Sequence, residues 1–410
     1  MPKLSDRAHQ LPASPIRKLA GFADAAKKRG TKVYHLNIGQ PDIPTPPQFF
    51  EAIEKADIKV LAYSPSPGFD SLRQSIAEYY SRIGETILAQ DVLVTTGASE
   101  ALIFVFGAIL NPGDEVIVPE PYYANYSSFS IGKDAKVVPI TTRIEDDFAL
   151  PDIEEFEKKI TPRTKAILIC NPGNPTGILY PPEALEKLQA ICKKHDLFLI
   201  ADEVYREFVY DSLKHVSTLG LKDIEQNVIV IDSISKRFSA CGARIGCVVS
   251  RNRDLMQAIL KMAQARLSPP TYGQIGAEAV YTLGSDYYDG VVAEYSARRD
   301  VLLDELGRIE GVVCPRVNGA FYAMVRLPVD DADKFCQWML EEFSFEGATV
   351  MMAPGNGFYA TPNAGQDEVR IAYVLNRDDL VAAVRCLEEG LKAYPGSTVS
   401  SGTARATSVS

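Results

Sequence analysis

Through the middle of the chain, short apolar runs recur with amphipathic helical stretches between them, and this alternation constrains the fold more than any other feature. Asp91 to Thr95, Glu115 to Val118, Lys136 to Pro139, Ala166 to Cys170, Leu197 to Ala201, Val228 to Asp232 and Gly246 to Val249 read as strands, and Glu183 to Lys194 carries a helical pattern. Runs of Val, Ile and Leu without polar alternation suit strands covered on both faces, and helices between them supply the crossovers of a parallel sheet. The expectation is an α/β fold in which these seven strands form one mostly parallel sheet flanked by helices.

The two ends of the chain differ from this middle. Residues 1–50 are Pro-rich and irregular and are expected to form an N-terminal arm and part of a smaller α+β domain. Residues 51–294 would be the large domain, and 295–396, which read as helix, short strands and helix, would complete the smaller one. The tail 397–410 (STVSSGTARATSVS) is almost wholly Ser, Thr, Ala and Gly. Such a segment cannot bury enough apolar surface to offset its ordering entropy, so disorder is expected there.

Composition removes several classes of partner. The longest apolar candidate, Ala101 to Leu110, stops at Asn111-Pro112-Gly113, well short of the roughly 18 residues of a membrane span. With 43 Lys and Arg against 53 Asp and Glu, the net charge of -10 lacks the basic excess that nucleic-acid backbones require. Seven scattered cysteines without a C-x-x-C, and only four His, indicate neither a disulfide framework nor a zinc site, so no metal is expected. Reduced thiols and the lack of a secretory pattern in Met1 to Gln10 point to the cytoplasm.

Ligands of open α/β sheets sit beyond the carboxyl ends of the strands, and here those ends are polar. Gly97-Ala98-Ser99-Glu100 opens an apolar helix pattern, where free amides and a Ser hydroxyl could hold a phosphate, although an ordinary helix cap would read the same way. Asn171-Pro172-Gly173-Asn174-Pro175-Thr176-Gly177 is stiffer than a plain turn requires and fixes the Asn174 amide. Asp202, in Asp202-Glu203-Val204-Tyr205, ends an apolar strand, where a carboxylate is penalised unless a cation lies opposite; a helix-capping Asp is the alternative. Ser233-Ile234-Ser235-Lys236 is followed eight residues later by Arg244. A lysine in such apolar surroundings either is a solvated charge or belongs to the type that forms Schiff bases with carbonyl compounds. A phosphate cup, an acid for a protonated ring nitrogen, an amide for a phenolic oxygen and a Schiff-base lysine together describe pyridoxal 5'-phosphate.

These segments, together with Arg244-Ile-Gly and Val369-Arg370-Ile-Ala-Tyr, resemble the class I and II aminotransferase family, the fold-type I pyridoxal-phosphate enzymes, from about Ser14 to about Tyr394. The resemblance to the aspartate and aromatic aminotransferases implies that Lys236 holds the cofactor and then shuttles the substrate's α-proton, as nucleophile and general base in turn. It implies that Asp202 pairs with the ring nitrogen, that Asn174 and Tyr205 bond the phenolic oxygen, and that Tyr123 rather than Tyr122 stacks on the ring. The phosphate would fall to Ala98, Ser99, Ser233 and Arg244, with Tyr63 reaching the phosphate of a neighbouring subunit in a homodimer. Arg370, helped by Gly39, would hold the substrate's α-carboxylate.

The resemblance says less about the substrate. Some aspartate-specific relatives carry a basic residue beside the phosphate cup, where this chain has Ser99. Arg266 lies near where another branch places a carboxylate-binding arginine from the partner subunit, without aligning residue for residue; its alternative is a surface or interface ion pair worth under about 1 kcal/mol. The leading expectation is transfer of an amino group from aspartate, or next an aromatic amino acid, to a 2-oxoacid such as 2-oxoglutarate. The alternative is a pyridoxal-phosphate lyase, γ-substituting or cyclising enzyme of the aminocyclopropane-carboxylate synthase type, which shares the same lysine, aspartate and Pro-Tyr-Tyr segment. A non-catalytic regulator is disfavoured, because every expected cofactor contact is present and no DNA-binding module is attached.

Overall fold

The computed structural model describes residues 2–398, so of the tail expected at 397–410 only Ser397 and Thr398 fall within it. The first strand, β1 (Lys32–His35), precedes seven that form one sheet: β2 (Val92–Thr95), β3 (Glu115–Glu120), β4 (Lys136–Thr141), β5 (Thr164–Cys170), β6 (Phe198–Asp202), β7 (Val228–Ser233) and β8 (Gly246–Val249). Their spatial order is β2-β8-β7-β6-β5-β3-β4, and only β8 runs against its neighbours. The sheet is the one expected from the apolar runs.

Alternate residues of the central strands feed two separate cores, which is why those runs show no polar alternation. Ile167 and Ile169 of β5, Leu199 of β6 and Val230 of β7 pack on one face with Leu185, Leu188 and Ile191 of the helix Pro182–His195. Leu168, Ile200 and Ile231 face the other side, against Leu102 and Val105 of the helix Gly97–Ile109 and Ile259 of Arg253–Arg266. Full burial of each such side chain is worth about 1.5–3 kcal/mol. The helix Pro182–His195 follows from its sequence: Pro in its first turn, apolar residues on one stripe, and Lys193, Lys194 and His195 at its negative end.

Two strands run further than expected, past Pro119 and Pro139 to Glu120 and Thr141. Proline lacks the amide a central strand needs, but β4 is an edge strand, and β3 pairs with β5 only as far as Ile117.

The chain ends meet beside this sheet. β9 (Tyr322–Arg326), β10 (Ala348–Met351), β11 (Ala353–Pro354) and β12 (Glu368–Ala372) follow, and β1 pairs in parallel with β10, Lys32 opposite Ala348 through His35 opposite Met351. β11, β12 and β9 form an antiparallel sheet. A third core, including Leu36, Tyr295, Phe321, Phe335 and Leu387, lies beneath both. The helix Ser285–Leu306 runs without a break through residues 294 and 295, and the helix Pro47–Lys55 through 50 and 51.

Candidate active site

A cavity of about 590 Å³ opens beyond the carboxyl ends of β2, β5, β6 and β7, between the large sheet and β9 and β12. It is lined by Gly39, Ala98, Ser99, Tyr123, Asn174, Asp202, Tyr205, Ser233, Lys236, Arg244 and Arg370. Tyr63 and Arg266 do not line it. Its size is typical of a small-molecule site.

Lys236 sits in the one-turn helix Ile234–Arg237, which Ser233 caps, and its Nζ donates to the carbonyl of Gly39 at 2.6 Å. Gly39 has to be glycine, because a Cβ there would overlap the Tyr322 ring. That hydroxyl lies 2.9 Å from the Tyr205 hydroxyl, so the two phenols form a buried pair on one wall.

Asp202 closes β6. Its Oδ2 accepts from the Tyr126 hydroxyl at 2.8 Å, and no cation forms an ion pair with it among the described residues. Burial therefore pushes its carboxyl up to about 6, the Tyr126 bond and the Val204 amide offsetting only part of the effect. A protonated nitrogen placed opposite would reverse that penalty.

The helix Gly97–Ile109 presents its first amides at Ala98 and Ser99. Gly97 has φ +74°, and a Cβ there would overlap the Arg244 guanidinium, so glycine is required for that side chain to reach the helix start. Arg244 makes one side-chain bond among the described residues, to the Cys241 carbonyl at 2.8 Å, and has no acidic partner. Ser233 Oγ lies 2.8 Å from both Ser235 Oγ and the Ile245 carbonyl, so its single proton is committed within the protein. Backbone amides at a helix start with a free arginine suit a phosphate.

Arg370, on β12, is 1% exposed and donates to Asn174 Oδ1 at 3.0 Å and to the Asn37 carbonyl at 2.5 Å. Its Nε has no partner, and no carboxylate pairs with it among the described residues. Burial lowers its pKa; a carboxylate entering the cavity would supply the missing charge. Tyr123 stands edge-on to Tyr126 with ring centroids 5.4 Å apart and takes a hydrogen bond from Asn125 at 2.7 Å, whereas the Tyr122 hydroxyl pairs with Ser127 away from the cavity. Burial raises the Tyr123 phenol to about 12.

Tyr63 is 79% exposed, close to the exposed Val60 and Leu61. Arg266 is tied down within its own chain: it pairs with Glu100 at 2.9 Å and donates to the carbonyl of Ser66 at 3.0 Å. The ion pair with Glu100 is largely buried, the two side chains being 15% and 16% exposed. Tyr126, Tyr322, Asn125 and Asn37 shape the site and carry no sequence signal that singles them out.

An aminotransferase class I and II family model matches residues 31–387. The aspartate aminotransferase of Sulfurisphaera tokodaii is 32% identical over 371 residues, covering 88% of this chain and 91% of that protein. That of Geobacillus stearothermophilus is 32% identical, covering 95% of this chain and 99% of its own. Among solved structures, a single mutant of Thermus thermophilus aspartate aminotransferase superposes with a TM-score of 0.86 at 30% identity, covering 95% of this chain and all of its own. An alanine aminotransferase from Pyrococcus furiosus gives 0.88 at 33% identity over 96% of this chain.

Proposed function

Because the chain belongs to the class I and II aminotransferase family, and is an aminotransferase acting on amino and oxo acids, we propose that it binds pyridoxal phosphate in the cavity around Lys236 and takes its amino group from aspartate, or next an aromatic amino acid, with 2-oxoglutarate as acceptor. One observation carries this reading: a lysine, a buried acid without a cation, a free arginine at a helix start and a buried arginine without an acid converge on one cavity. Each lacks a counterpart that the cofactor or an amino acid has. The lyase, substituting and cyclising chemistries are not favoured, since the relatives named above are aminotransferases.

When bound, pyridoxal phosphate supplies an aldehyde that condenses with amines and a protonated ring that accepts electrons as the α-proton leaves. The rest is the work of the chain. Asp202, kept in place by Tyr126, would hold a proton on a ring nitrogen placed opposite it. Lys236 Nζ, released from the Gly39 carbonyl, would take the proton from the substrate α-carbon and return it two bonds away, beyond the nitrogen that joins substrate to cofactor. Asn174 Nδ2 and the Tyr205 hydroxyl would donate to the phenolic oxygen, and the Tyr123 ring would pack against the cofactor ring. Arg244 and the Ala98 and Ser99 amides hold the phosphate, with Ser233 bracing the loop beneath. Arg370 orients the α-carboxylate through Nε.

In the same reading the enzyme is a homodimer, with Tyr63 reaching the partner's phosphate; its exposure beside Val60 and Leu61 supports this. The large domain at 51–294 and the smaller one from 1–50 and 295–396 would move together around the cavity. No helix among the described residues is long and apolar enough to cross a membrane. The scattered thiols support a cytoplasmic setting.

The test is a half-reaction. Purified holoenzyme is mixed with single amino acids and no oxo acid, and the visible band is followed. Conversion to the pyridoxamine band with one equivalent of oxo acid names the donor; a band that does not convert with any common amino acid overturns the proposal.

A further inference from the structure

Four cationic side chains line the cavity, Arg17, Lys236, Arg244 and Arg370, against one acid, Asp202. The proposed function uses three of them and leaves Arg17 over. Among the described residues its guanidinium makes no hydrogen bond and no ion pair, although neighbouring Lys18 is paired with Asp333. Once a phosphate faces Arg244 and an α-carboxylate faces Arg370, Arg17 is, among the described residues, the one guanidinium of the cavity still without a partner.

Arg17 is fixed relative to Arg370 through a single residue. The buried Asn37 side chain donates to the Ile16 carbonyl at 2.8 Å, and the Asn37 carbonyl accepts from Arg370 at 2.5 Å. Pro15 packs so closely on Gly357 that a Cβ there would overlap it, and Ile16 packs beside Phe358, whose ring lies 5.0 Å from the Arg370 guanidinium. The segment bearing Arg17 is therefore held in register with the arginine proposed to hold one end of the substrate.

Resting on the aminotransferase reading, we infer that Arg17 binds the second carboxylate of a dicarboxylic amino acid, so that this chain reads the substrate side chain with its own N-terminal segment. Ser99 beside the phosphate cup offers no charge for that purpose, and Arg266 is engaged with Glu100. A guanidinium is suited to a planar carboxylate, with charge-assisted bonds stronger than those to a neutral group.

The test compares wild-type holoenzyme with Arg17→Gln and Arg17→Lys. Calorimetric titration with succinate, which has two carboxylates and no amino group, and with butyrate, which has one, reads recognition without turnover. Arg17→Gln is expected to weaken succinate at least about tenfold, the scale of one hydrogen bond to a charged group, and to leave butyrate unchanged. The half-reaction should lose a similar factor for aspartate and glutamate but not for alanine, and Arg17→Lys should recover part of it. Unchanged succinate affinity, or equal losses for aspartate and alanine, overturns the role of Arg17. If the wild type converts alanine yet binds succinate no better than butyrate, the inference fails and the aminotransferase reading stands. If no amino acid is converted, that reading fails, and the succinate arm still decides the role of Arg17.

Discussion

Arg370 donates from Nη1 to Asn174 Oδ1 at 3.0 Å, a single bond that joins β12 to the loop after β5. A guanidinium can only donate, so the Asn174 atom facing it is the oxygen, and the amide nitrogen remains for the cavity. Asn174→Asp would set a carboxylate against a buried cation that has none. Arg370 would then be satisfied internally, and every amino acid would compete with that pair for it. KM is expected to rise at least about tenfold for all donors, on the scale of a charge-assisted bond. Steady-state kinetics with aspartate and alanine decide it: an unchanged KM would mean that the α-carboxylate binds elsewhere.

Lys236 is bound to the protein by little more than the Gly39 carbonyl, with the Cys241 sulfur 3.9 Å away. Its removal should cost function rather than fold. Lys236→Ala is expected to show the wild-type unfolding midpoint within a few degrees, no visible band of lysine-bound cofactor, and turnover reduced by the loss of both nucleophile and base. Wild-type turnover in this variant would take Lys236 out of the mechanism.

Much of this arrangement is legible in the sequence, for a physical reason. Strand segments buried on both faces are apolar at successive positions, so the middles of β5, β6 and β7 appear as the unbroken runs Ala166 to Ile169, Phe198 to Ala201 and Val228 to Ile231. The polar residues that follow are conspicuous because they end those runs. Tyr126 and Tyr322 are different: nothing in the local pattern marks either tyrosine, and only tertiary packing turns its hydroxyl to Asp202 or Tyr205. The β1–β10 pairing joins residues more than three hundred positions apart, which no local pattern encodes. Arg17 and Arg266 show the limit most clearly, since two exposed-looking arginines differ only in whether an acid such as Glu100 has folded against them.

The raised carboxyl of Asp202 gives the cofactor-free protein a pH signature. Its ordinary value is 3.8 and its folded value about 6, so between them the folded state binds the proton more tightly than the unfolded chain. Stability then falls as pH rises through that window, by up to about 3 kcal/mol at 1.4 kcal/mol per pH unit. Asp202→Asn removes the charge, so its stability relative to wild type should improve from about pH 4 to about pH 7. Denaturant unfolding of both cofactor-free proteins across this range measures the difference. A difference that does not change with pH would place the ionised carboxylate in a solvated or paired setting.

Val60, Leu61 and Tyr63 are 78%, 60% and 79% exposed in a single chain, an apolar run that water should not face. If it is the dimer contact, Leu61→Asp should shift the protein from dimer to monomer and weaken cofactor retention, because Tyr63 would lose its neighbour's site. Sedimentation velocity measures the first effect and cofactor release on dilution the second. A stable dimer with unchanged retention would place the contact elsewhere.

Asp232 and Arg237 bracket the lysine loop and are 0% and 1% exposed. Arg237 Nη2 lies 2.9 Å from Asp232 Oδ1 and 2.7 Å from Oδ2, and Asp232 also accepts from the Ser233 amide at 2.7 Å and the Tyr80 hydroxyl at 3.1 Å. Both ends of the segment carrying Ser233 and Lys236 are thus pinned by one buried ion pair. Such a pair contributes little net stability over apolar packing, yet losing one partner strands the other charge. Arg237→Met should cost about 3–5 kcal/mol, because Asp232 remains buried without its cation. Adding Asp232→Asn should cost less than a second independent loss, giving a coupling energy above about 1 kcal/mol in the double-mutant cycle. Denaturant unfolding of the four proteins measures it. Additive losses, or a cost below about 1 kcal/mol for Arg237→Met, would show that the loop is held by the Ser233 cap and its neighbours instead.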